Sequence, residues 1–439
     1  MFNDIITMAD GMKDELVSIR RDFHRYPEIA WLEIRTGSLI ARRLSDMGYE
    51  VHAGPEVCGR GQRACLPSPE TFEENYRRAL SQGADPEYAA VMKDGSTGVV
   101  AELKCGEGPV VALRFDIDCL PITESAEPSH LPAREGFISR NPGWMHACGH
   151  DGHATIGLGA AKILMALKDR LHGTVRLLFQ PDEESGRGAK AMIDGGWLDG
   201  VDYILGAHVS RAGSVIAPPK DLPECFVIAG SGHCLAITEY EVHYRGQSAH
   251  SGACPERGRN ALLAAAVAVQ NLYAITRNSA AGTRVNVGVL RAGSARNAIA
   301  DSADFTVEVR GDTDETWKFM EEHAKHIVKS AAEMYGCECE IVFVSGEGCI
   351  ENTPELSKRV ARVCTEELGI TAFSAEYKSG SEDYSNMSNY VMERGGQSCF
   401  FRNVIPCAGE AHSPSFNIDE RALTNGAKAF AGVVYDILK

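Results

Sequence analysis

No apolar run in the 439-residue sequence approaches the length of a membrane span. Residues 1–13 contain Asp4 and Asp10 and lack a basic start followed by a long apolar stretch, so we expect no secretory signal. Excess positive charge is also missing: the net charge of −16 argues against binding to nucleic acid or to an anionic membrane. We therefore expect a cytoplasmic protein whose 14 cysteines are mostly free thiols.

The order of strands and helices in the first half predicts an α/β fold. Strands are expected at 97–104, 109–116, 174–180 and about 202–208, and helices at 152–168 and about 187–194, besides two helices within 11–47. Such alternation is typical of a largely parallel or mixed sheet with helices packed on it. The length of the chain exceeds that of one ordinary core, which favours a second domain.

A different pattern begins near Leu222. Strand, helix, two strands, helix and strand follow in that order, at 235–245, 258–276, 284–290, 303–310, 312–335 and 339–344. This is the β–α–β–β–α–β order of a ferredoxin-like unit. We predict a catalytic domain formed by 1–222 and 346–439, with a small α+β domain inserted at 223–345.

The strongest local motif is His146–Ala147–Cys148–Gly149–His150–Asp151–Gly152–His153. Thiolate and imidazole are good ligands for Zn²⁺ and its neighbours. A buried cysteine beside helix-capping His and Asp residues would produce a similar motif, so the motif alone does not distinguish the two interpretations.

A second motif, Gln180–Pro181–Asp182–Glu183–Glu184, follows a predicted buried strand. One of two adjacent carboxylates can bind metal while the other takes a proton from water. An ordinary acidic loop is the alternative explanation for an isolated Glu pair.

Further metal-type residues end other elements. His208 ends a strand, His412 lies in a loop before the last helix, and Asp116 and Asp118 lie at the end of the 109–116 strand. An acid such as Asp118 can fix the tautomer of a metal-binding imidazole. Because ligands in open α/β sheets bind at the carboxyl ends of strands, this coincidence favours one metal site.

The motifs resemble those of the aminoacylase/carboxypeptidase-type dinuclear metallopeptidases, a family that includes hippurate hydrolases and auxin-conjugate amidohydrolases. The similarity spans nearly the whole chain and includes DIDCLP, HACGHDGH, FQPDEE, SAHSG, ARNAIA, GSEDY and AHSP. It implies a phosphorylase/hydrolase-like catalytic domain and a lid or dimerisation domain. It also implies two divalent metal ions, with Mn²⁺ first and Zn²⁺ second. The ligands it implies are Cys148 (bridging), His150, Glu184, His208 and His412.

The resemblance also implies roles for other residues. Glu183 would be the general base and Asp118 the acid behind the metal ligands. His250 would help to hold the oxyanion from across a dimer, while Asn297 and Arg310 would bind a substrate carboxylate. The Ser379–Asp383 segment is interpreted as structural support. As isolated residues, Arg310 could equally be a surface cation and Asn297 a turn former.

Two segments resemble those of a particular group within this family. The insertion at 53–95 and the run Arg257–Leu263 are similar to members that cleave p-aminobenzoyl-glutamate to p-aminobenzoate and glutamate, a step of folate catabolism. We expect that acyl-glutamate substrate, and a homodimer or a heterodimer with a related subunit. The insertion itself has no evident chemistry and is interpreted as a surface segment near the active-site rim or an interface.

Three alternatives remain open at this point. A broader N-acyl or N-aroyl amino-acid amidohydrolase, of hippurate or N-acetyl type, would carry the same motifs. A non-catalytic partner subunit is disfavoured by the intact Glu183. A cysteine hydrolase using Cys148 is disfavoured because metal-type ligands surround it in the sequence.

Overall fold

The computed structural model describes residues 2–59, 61, 63, 66–216, 218–231, 235–375, 377 and 380–439. The chain divides into two compact units. The larger comprises Met1–Gly232, Ile350–Lys378 and Asp383–Lys439, and the smaller comprises His233–Cys349 and Ser379–Glu382.

The helices and strands are numbered in chain order. The helices are α1 (Phe2–Gly11), α2 (Lys13–Arg25), α3 (Ile34–Met47), α4 (Pro69–Ser81), α5 (Pro86–Val91), α6 (Leu131–Glu135), α7 (His150–Ala166), α8 (Gly188–Asp194), α9 (Ala261–Tyr273), α10 (Asp314–Met334), α11 (Pro354–Arg362), α12 (Tyr384–Glu393) and α13 (Arg421–Leu438). The strands are β1 (Glu50–Ala53), β2 (Val99–Lys104), β3 (Val110–Asp116), β4 (Thr174–Gln180), β5 (Tyr203–Ser210), β6 (Phe226–Ile228), β7 (Ala236–Arg245), β8 (Thr283–Ala292), β9 (Ser302–Gly311), β10 (Glu338–Glu347), β11 (Ala372–Phe373), β12 (Gln397–Val404), β13 (Cys407–Ala408) and β14 (Asn417–Ile418).

A mixed eight-stranded sheet, in the order β1-β2-β4-β3-β5-β12-β6-β11, forms the centre of the larger unit. The adjacent strands β4, β3, β5 and β12 are parallel, whereas β2 and β6 are antiparallel to their neighbours β4 and β12. The central strands are mostly apolar and buried, as expected for strands covered on both faces. Asp116 pairs in register with Gln180, so the carboxyl ends of β3 and β4 lie at one edge.

Helix α7 connects this edge to the core. Fourteen of its residues are buried, and a Cβ added at Gly157 would lie 2.7 Å from ring atoms of Phe115 and Phe179. The small residue therefore lets the helix approach β3 and β4 closely. Because the helix begins at His150, its packing fixes that residue at the edge of the sheet.

The smaller unit contains one antiparallel sheet in the order β10-β7-β9-β8. Along β9, buried and partly exposed residues alternate, which is typical of a sheet with only one face covered. Helices α9 and α10 contribute Ala264, Ala268, Met320 and Val328 to the core that covers this face.

Most predicted elements are observed within a few residues. The expected α/β architecture with a mixed sheet is confirmed. The prediction missed α1, a ten-residue helix of which only Ile5 and Ala9 are buried. Helix α7 begins at His150 rather than at 152, because Gly149 rather than a later residue precedes its first turn.

The predicted insertion contains α4 and α5, apart from residues 60, 62, 64 and 65, which lie outside the described ranges. Asn75 of α4 donates to the Leu32 carbonyl at 2.7 Å, and Arg35 donates to the Gln82 carbonyl at 2.8 Å. The insertion is thus tied to the loop before α3 and to α3 itself.

Two further expectations concern membrane-spanning helices and the state of the cysteines. Among the described residues, no helix combines the length and apolar character needed to cross a membrane. The 12 cysteines in the described part of the chain are all free.

Candidate metal centre and active site

The side chains predicted as metal ligands come from four separate segments of the larger unit. Cys148 precedes α7 and His150 begins it, Glu184 follows β4, His208 lies on β5, and His412 lies in the loop before α13. The structure brings all five together. Their donor atoms form two groups, Cys148–His150–His208 and Cys148–Glu184–His412, and within each group all atoms lie within 4.8 Å of one another.

Cys148 is therefore common to both groups. Its Sγ lies 3.3 Å from His208 Nε2. In the second group, His412 Nε2 lies 3.5 Å from Glu184 Oε2. A thiolate shared by two sets of ligands is the arrangement required for one sulfur to bridge two cations.

Backbone geometry explains how the loops converge. Gly149 has φ +96°, and an added Cβ would lie 2.5 Å from Val209 Cγ2, so glycine permits both the turn and the close approach to β5. His412 adopts φ 59°, which is uncommon for a residue other than glycine. Its N–H donates to the Ala147 carbonyl at 2.9 Å, which ties the His412 loop to the Cys148 loop.

Asp118 orients two of these groups. Its Oδ1 lies 3.0 Å from His150 Nδ1, and its Oδ2 accepts the Glu184 N–H at 3.0 Å. Nδ1 of His150 is thus occupied, and Nε2 is directed into the cluster. Among the described residues, His150 Nε2 and Glu184 Oε1 are buried without a hydrogen-bond partner and lie 3.8 Å apart. Two unpaired atoms of this kind are suited to binding a cation, because buried polar atoms are otherwise paired.

The pKa shifts show that the protein alone disfavours the charged forms of two proposed ligands. Burial, reinforced by the Glu184 carboxylate, raises the pKa of the Cys148 thiol to about 12. Burial, reinforced by Asp118 and Asp116, raises the pKa of Glu184 to about 8. Because a bound divalent ion lowers the pKa of nearby ligands, this donor set suits a cationic occupant.

The histidines divide into two kinds. Burial and neighbouring histidines lower the pKa of His208 well below its usual value, and burial and His150 lower that of His412. Both rings are therefore neutral, as metal ligands must be. Burial opposes charge on His150 as well, but Asp116 and Asp118 outweigh it and raise its pKa well above normal. The surrounding acids thus favour positive charge at this position.

Glu183 lies beside the cluster. Its Oε2 is 3.8 Å from His150 Nε2, and its side chain is 11% exposed, so solvent can reach the carboxylate. Glu183 is therefore close enough to exchange a proton with a water molecule in the centre.

His153 has a different environment from the other histidines of the motif. Its Nε2 accepts the Val209 N–H at 2.9 Å, so Nδ1 carries the proton and donates to Asp116 at 2.5 Å. Both ring nitrogens are engaged by protein, which leaves none for a metal. The next residue in this chain of contacts is His208, whose Nδ1 lies 2.5 Å from the Val209 carbonyl.

Asp116 is in turn held by a buried guanidinium. Arg114 donates to Asp116 Oδ2 at 2.6 Å and to Asp383 Oδ1 at 2.8 Å, and all three side chains are fully buried. Asp383, from the segment 379–383 interpreted as structural support, belongs to this network, while Ser379 lies outside the described residues. The sequence motifs contained Arg114, Asp116 and His153, but only the fold shows that their side chains are joined by hydrogen bonds.

The remaining predicted residues belong to the smaller unit. His250 Nδ1 accepts the N–H groups of Gly252 and Ala253, each at 3.1 Å, so a neutral ring carries its proton on Nε2. The Asn297 carbonyl accepts the Ser251 N–H at 3.0 Å, which places Asn297 in the loop facing His250. Arg310 pairs with Glu308 at 2.6 Å, a contact that the motifs did not predict.

Comparisons with known proteins identify relatives that span nearly the whole chain. The chain is 39% identical to one subunit of the p-aminobenzoyl-glutamate hydrolase of Escherichia coli (strain K12), covering 96% of each protein. It is 37% identical to an indole-3-acetyl-aspartic acid hydrolase of Enterobacter agglomerans, over 95% of this chain and 94% of that protein. Its fold matches the crystal structure of an aminobenzoyl-glutamate utilization protein from Klebsiella pneumoniae, with a TM-score of 0.79, 31% identity and coverage of 98% and 97%.

The family assignment rests on most of the chain. A sequence model described as Peptidase family M20/M25/M40 matches residues 112–436, a range that includes every candidate ligand named above. The resemblance inferred from the motifs is confirmed, and so is the expectation of a hydrolase acting on amide bonds. This chain belongs to peptidase family M20/M25/M40.

Proposed function

We propose that the protein is a metal-dependent amidohydrolase that cleaves p-aminobenzoyl-glutamate to p-aminobenzoate and glutamate. The observation that carries the proposal is the pair of ligand groups that share Cys148, with Glu183 beside them. The substrate rests on the 39% identity to a hydrolase of that name.

In this proposal Cys148, His150 and His208 would hold one ion, and Cys148, Glu184 and His412 would hold the other. When bound, such ions polarise a carbonyl group and lower the pKa of water. We propose Mn²⁺ first, because the resemblance to hydrolases of this kind implies it, and Zn²⁺ second, because thiolate and imidazole are good ligands for zinc.

The protein's own groups move the proton. The Glu183 carboxylate accepts a proton from the attacking water and later donates it to the departing nitrogen of glutamate. Asp118 keeps the His150 proton on Nδ1 and holds the Glu184 amide, so both ligands remain directed into the centre.

We also propose that the smaller unit is a ferredoxin-like lid and dimerisation domain. It comprises His233–Cys349 with Ser379–Glu382 rather than the predicted 223–345, because β6 (Phe226–Ile228) pairs with β12 in the sheet of the larger unit. The β–α–β–β–α–β order and the antiparallel sheet support this assignment. His250, with its proton on Nε2, would donate to the oxyanion, and Asn297 and Arg310 would bind the substrate carboxylate. Because Arg310 pairs with Glu308, binding the substrate requires the guanidinium either to contact both carboxylates or to leave Glu308.

The proposed partner of the chain is a second copy or a related protein. Support comes from the Escherichia coli relative, whose name describes it as one of the subunits of its hydrolase. The mass of the purified protein in solution, measured with and without such a related chain, distinguishes the two assemblies.

A broader specificity for N-acyl amino acids, including hippurate or N-acetyl types, is the second candidate. The 37% identity to an indole-3-acetyl-aspartic acid hydrolase favours it, because that substrate also joins an aromatic acyl group to an acidic amino acid.

The test is release of p-aminobenzoate by the purified chain, with added Mn²⁺ and then with EDTA. The proposal predicts chelator-sensitive release, faster than from hippurate or N-acetyl amino acids. Equal rates on all three substrates would favour the broader specificity. Release that resists EDTA but stops after thiol alkylation would favour a cysteine hydrolase.

A further inference from the structure

The turn that carries Glu183 has a strained residue at its start. Asp182 adopts φ 50° although it is not glycine, and it lies directly between strand β4 and Glu183. Left-handed conformations of this kind cost on the order of 1 kcal/mol or more and persist only where neighbouring groups hold them. The contacts that hold Asp182 therefore help to decide where Glu183 points.

One of those contacts comes from a distant loop. Glu33, 149 positions earlier in the chain, accepts the Asp182 N–H on Oε1 at 2.9 Å. Its Oε2 accepts the Thr97 hydroxyl at 2.6 Å. The Glu33 side chain is completely buried. A buried acid is costly to keep, so its retention at this position requires an explanation beyond packing.

Asp118 provides the matching contact on the other side of Glu183. Its Oδ2 accepts the Glu184 N–H at 3.0 Å, while Glu33 accepts the Asp182 N–H at 2.9 Å. Two carboxylates thus hold the amides that flank the proposed base. The Asp182 carbonyl is held as well, by the N–H of Gly188 at 3.0 Å.

The loop that carries Glu33 is itself rigid. Glu28 accepts the N–H groups of Arg35 and Thr36 at the start of α3, at 3.1 and 2.8 Å. The backbone of Glu28 also accepts the Cys119 N–H at 2.9 Å, next to Asp118. Glu33 and Asp118 are therefore fixed to one another through neighbouring backbone, and the predicted insertion is attached to the same loop through Asn75 and Leu32.

From these contacts we propose that Glu33 is a positioning residue for Glu183: it fixes the strained Asp182 turn so that the base faces the metal centre. The proposal rests on the proposed function, in which Glu183 is the base. It also gives the loop before α3 a part in catalysis that its sequence does not reveal.

The experiment compares Glu33→Leu, which removes the acceptor at similar size, with Glu33→Gln, which keeps an acceptor oxygen. We expect kcat to fall about a hundredfold in Glu33→Leu, since misplacement of a catalytic group by about 1 Å has that effect. KM and metal content should stay near wild type, and Glu33→Gln should retain kcat within a few fold.

A second readout does not require the substrate to be known. Hydrogen–deuterium exchange of peptides covering 181–188 should be faster in Glu33→Leu than in wild type and unchanged in Glu33→Gln. The matched control is Asp436→Asn, which removes a buried carboxylate that contacts Arg359 and Arg362 away from this turn. It should lower Tm but leave exchange at 181–188 unchanged.

Unchanged exchange in Glu33→Leu would overturn the proposal, as would equal loss of protection in the Leu and Gln variants. If the Leu variant does not fold, Glu33→Asp serves instead, because its shorter side chain cannot span Asp182 and Thr97 together, and it should show both effects. A wild-type protein with no activity on any acyl amino acid would refute the proposed function, and the exchange result would still decide the role of Glu33 at the turn.

Discussion

Asp118 Oδ1 lies 3.0 Å from His150 Nδ1, and the same carboxylate accepts the Glu184 N–H through its other oxygen. One acid thus fixes the tautomer of one proposed ligand and the backbone of another. The shape of the centre therefore depends on Asp118.

Replacing Asp118 with Asn should weaken metal binding about 10- to 100-fold, the usual effect of removing a group that orients a ligand. An amide offers one acceptor oxygen, so its NH₂ group would face either the Glu184 N–H or the proton on His150. Calorimetric titration with Mn²⁺ measures the change. An affinity equal to wild type would show that Asp118 does not orient the ligands.

Glu183→Gln should abolish most turnover while preserving the metal content. Glutamine cannot accept a proton, whereas the ligands Cys148, His150 and Glu184 remain intact. Turnover is measured with p-aminobenzoyl-glutamate, and metal content by elemental analysis. A Glu183→Gln protein with wild-type kcat would rule out Glu183 as the base.

His153→Gln should leave two ions bound, although more weakly, because His153 is held by Asp116 and supports His208 through Val209 rather than binding metal. His208→Gln is the comparison and should lose one ion. Elemental analysis after dialysis distinguishes the two variants. Loss of a whole ion from His153→Gln would identify His153 as a ligand instead.

Away from the site, Asp436 near the end of α13 should make stability depend on pH. Burial opposes its charge, but contacts with Lys439, Arg359 and Arg362 outweigh burial and lower the pKa of the carboxyl. A lowered pKa stabilises the fold above the unfolded value of about 4 and loses that effect as pH falls further.

Asp436→Asn should therefore reduce the free energy of unfolding by about 1 kcal/mol at neutral pH, a modest value because the arginines are partly exposed and screened. Urea titrations at pH 7 and pH 3 measure this difference, which should shrink at the lower pH. An undiminished difference at pH 3 would show that charge is not the cause.

Much of the site could be predicted because each proposed ligand stands in a short motif at the end of a predicted element. Glu184 follows the buried strand β4, and His208 lies on β5, so the rule that ligands gather at the carboxyl ends of strands placed both at one edge. That reasoning needs only local sequence and the order of the strands.

The remainder depends on contacts that the sequence does not encode locally. His153 stands in the same motif as His150, yet its nitrogens are engaged by Asp116 and by a backbone amide of β5. Glu33 lies 149 positions from the turn it contacts. The sequence offered one signal, an acid in the loop following the His24–Glu28 motif. Only the fold shows that the side chain of this acid contacts the Asp182 turn.

The central claim is that two ions share the Cys148 thiolate. A crystal structure of the protein grown with Mn²⁺, with anomalous scattering measured on both sides of the manganese edge, tests it most directly. The account predicts two peaks flanking Cys148 Sγ, one beside His150 and His208 and the other beside Glu184 and His412. A single peak, or two peaks that do not share Cys148, would contradict it.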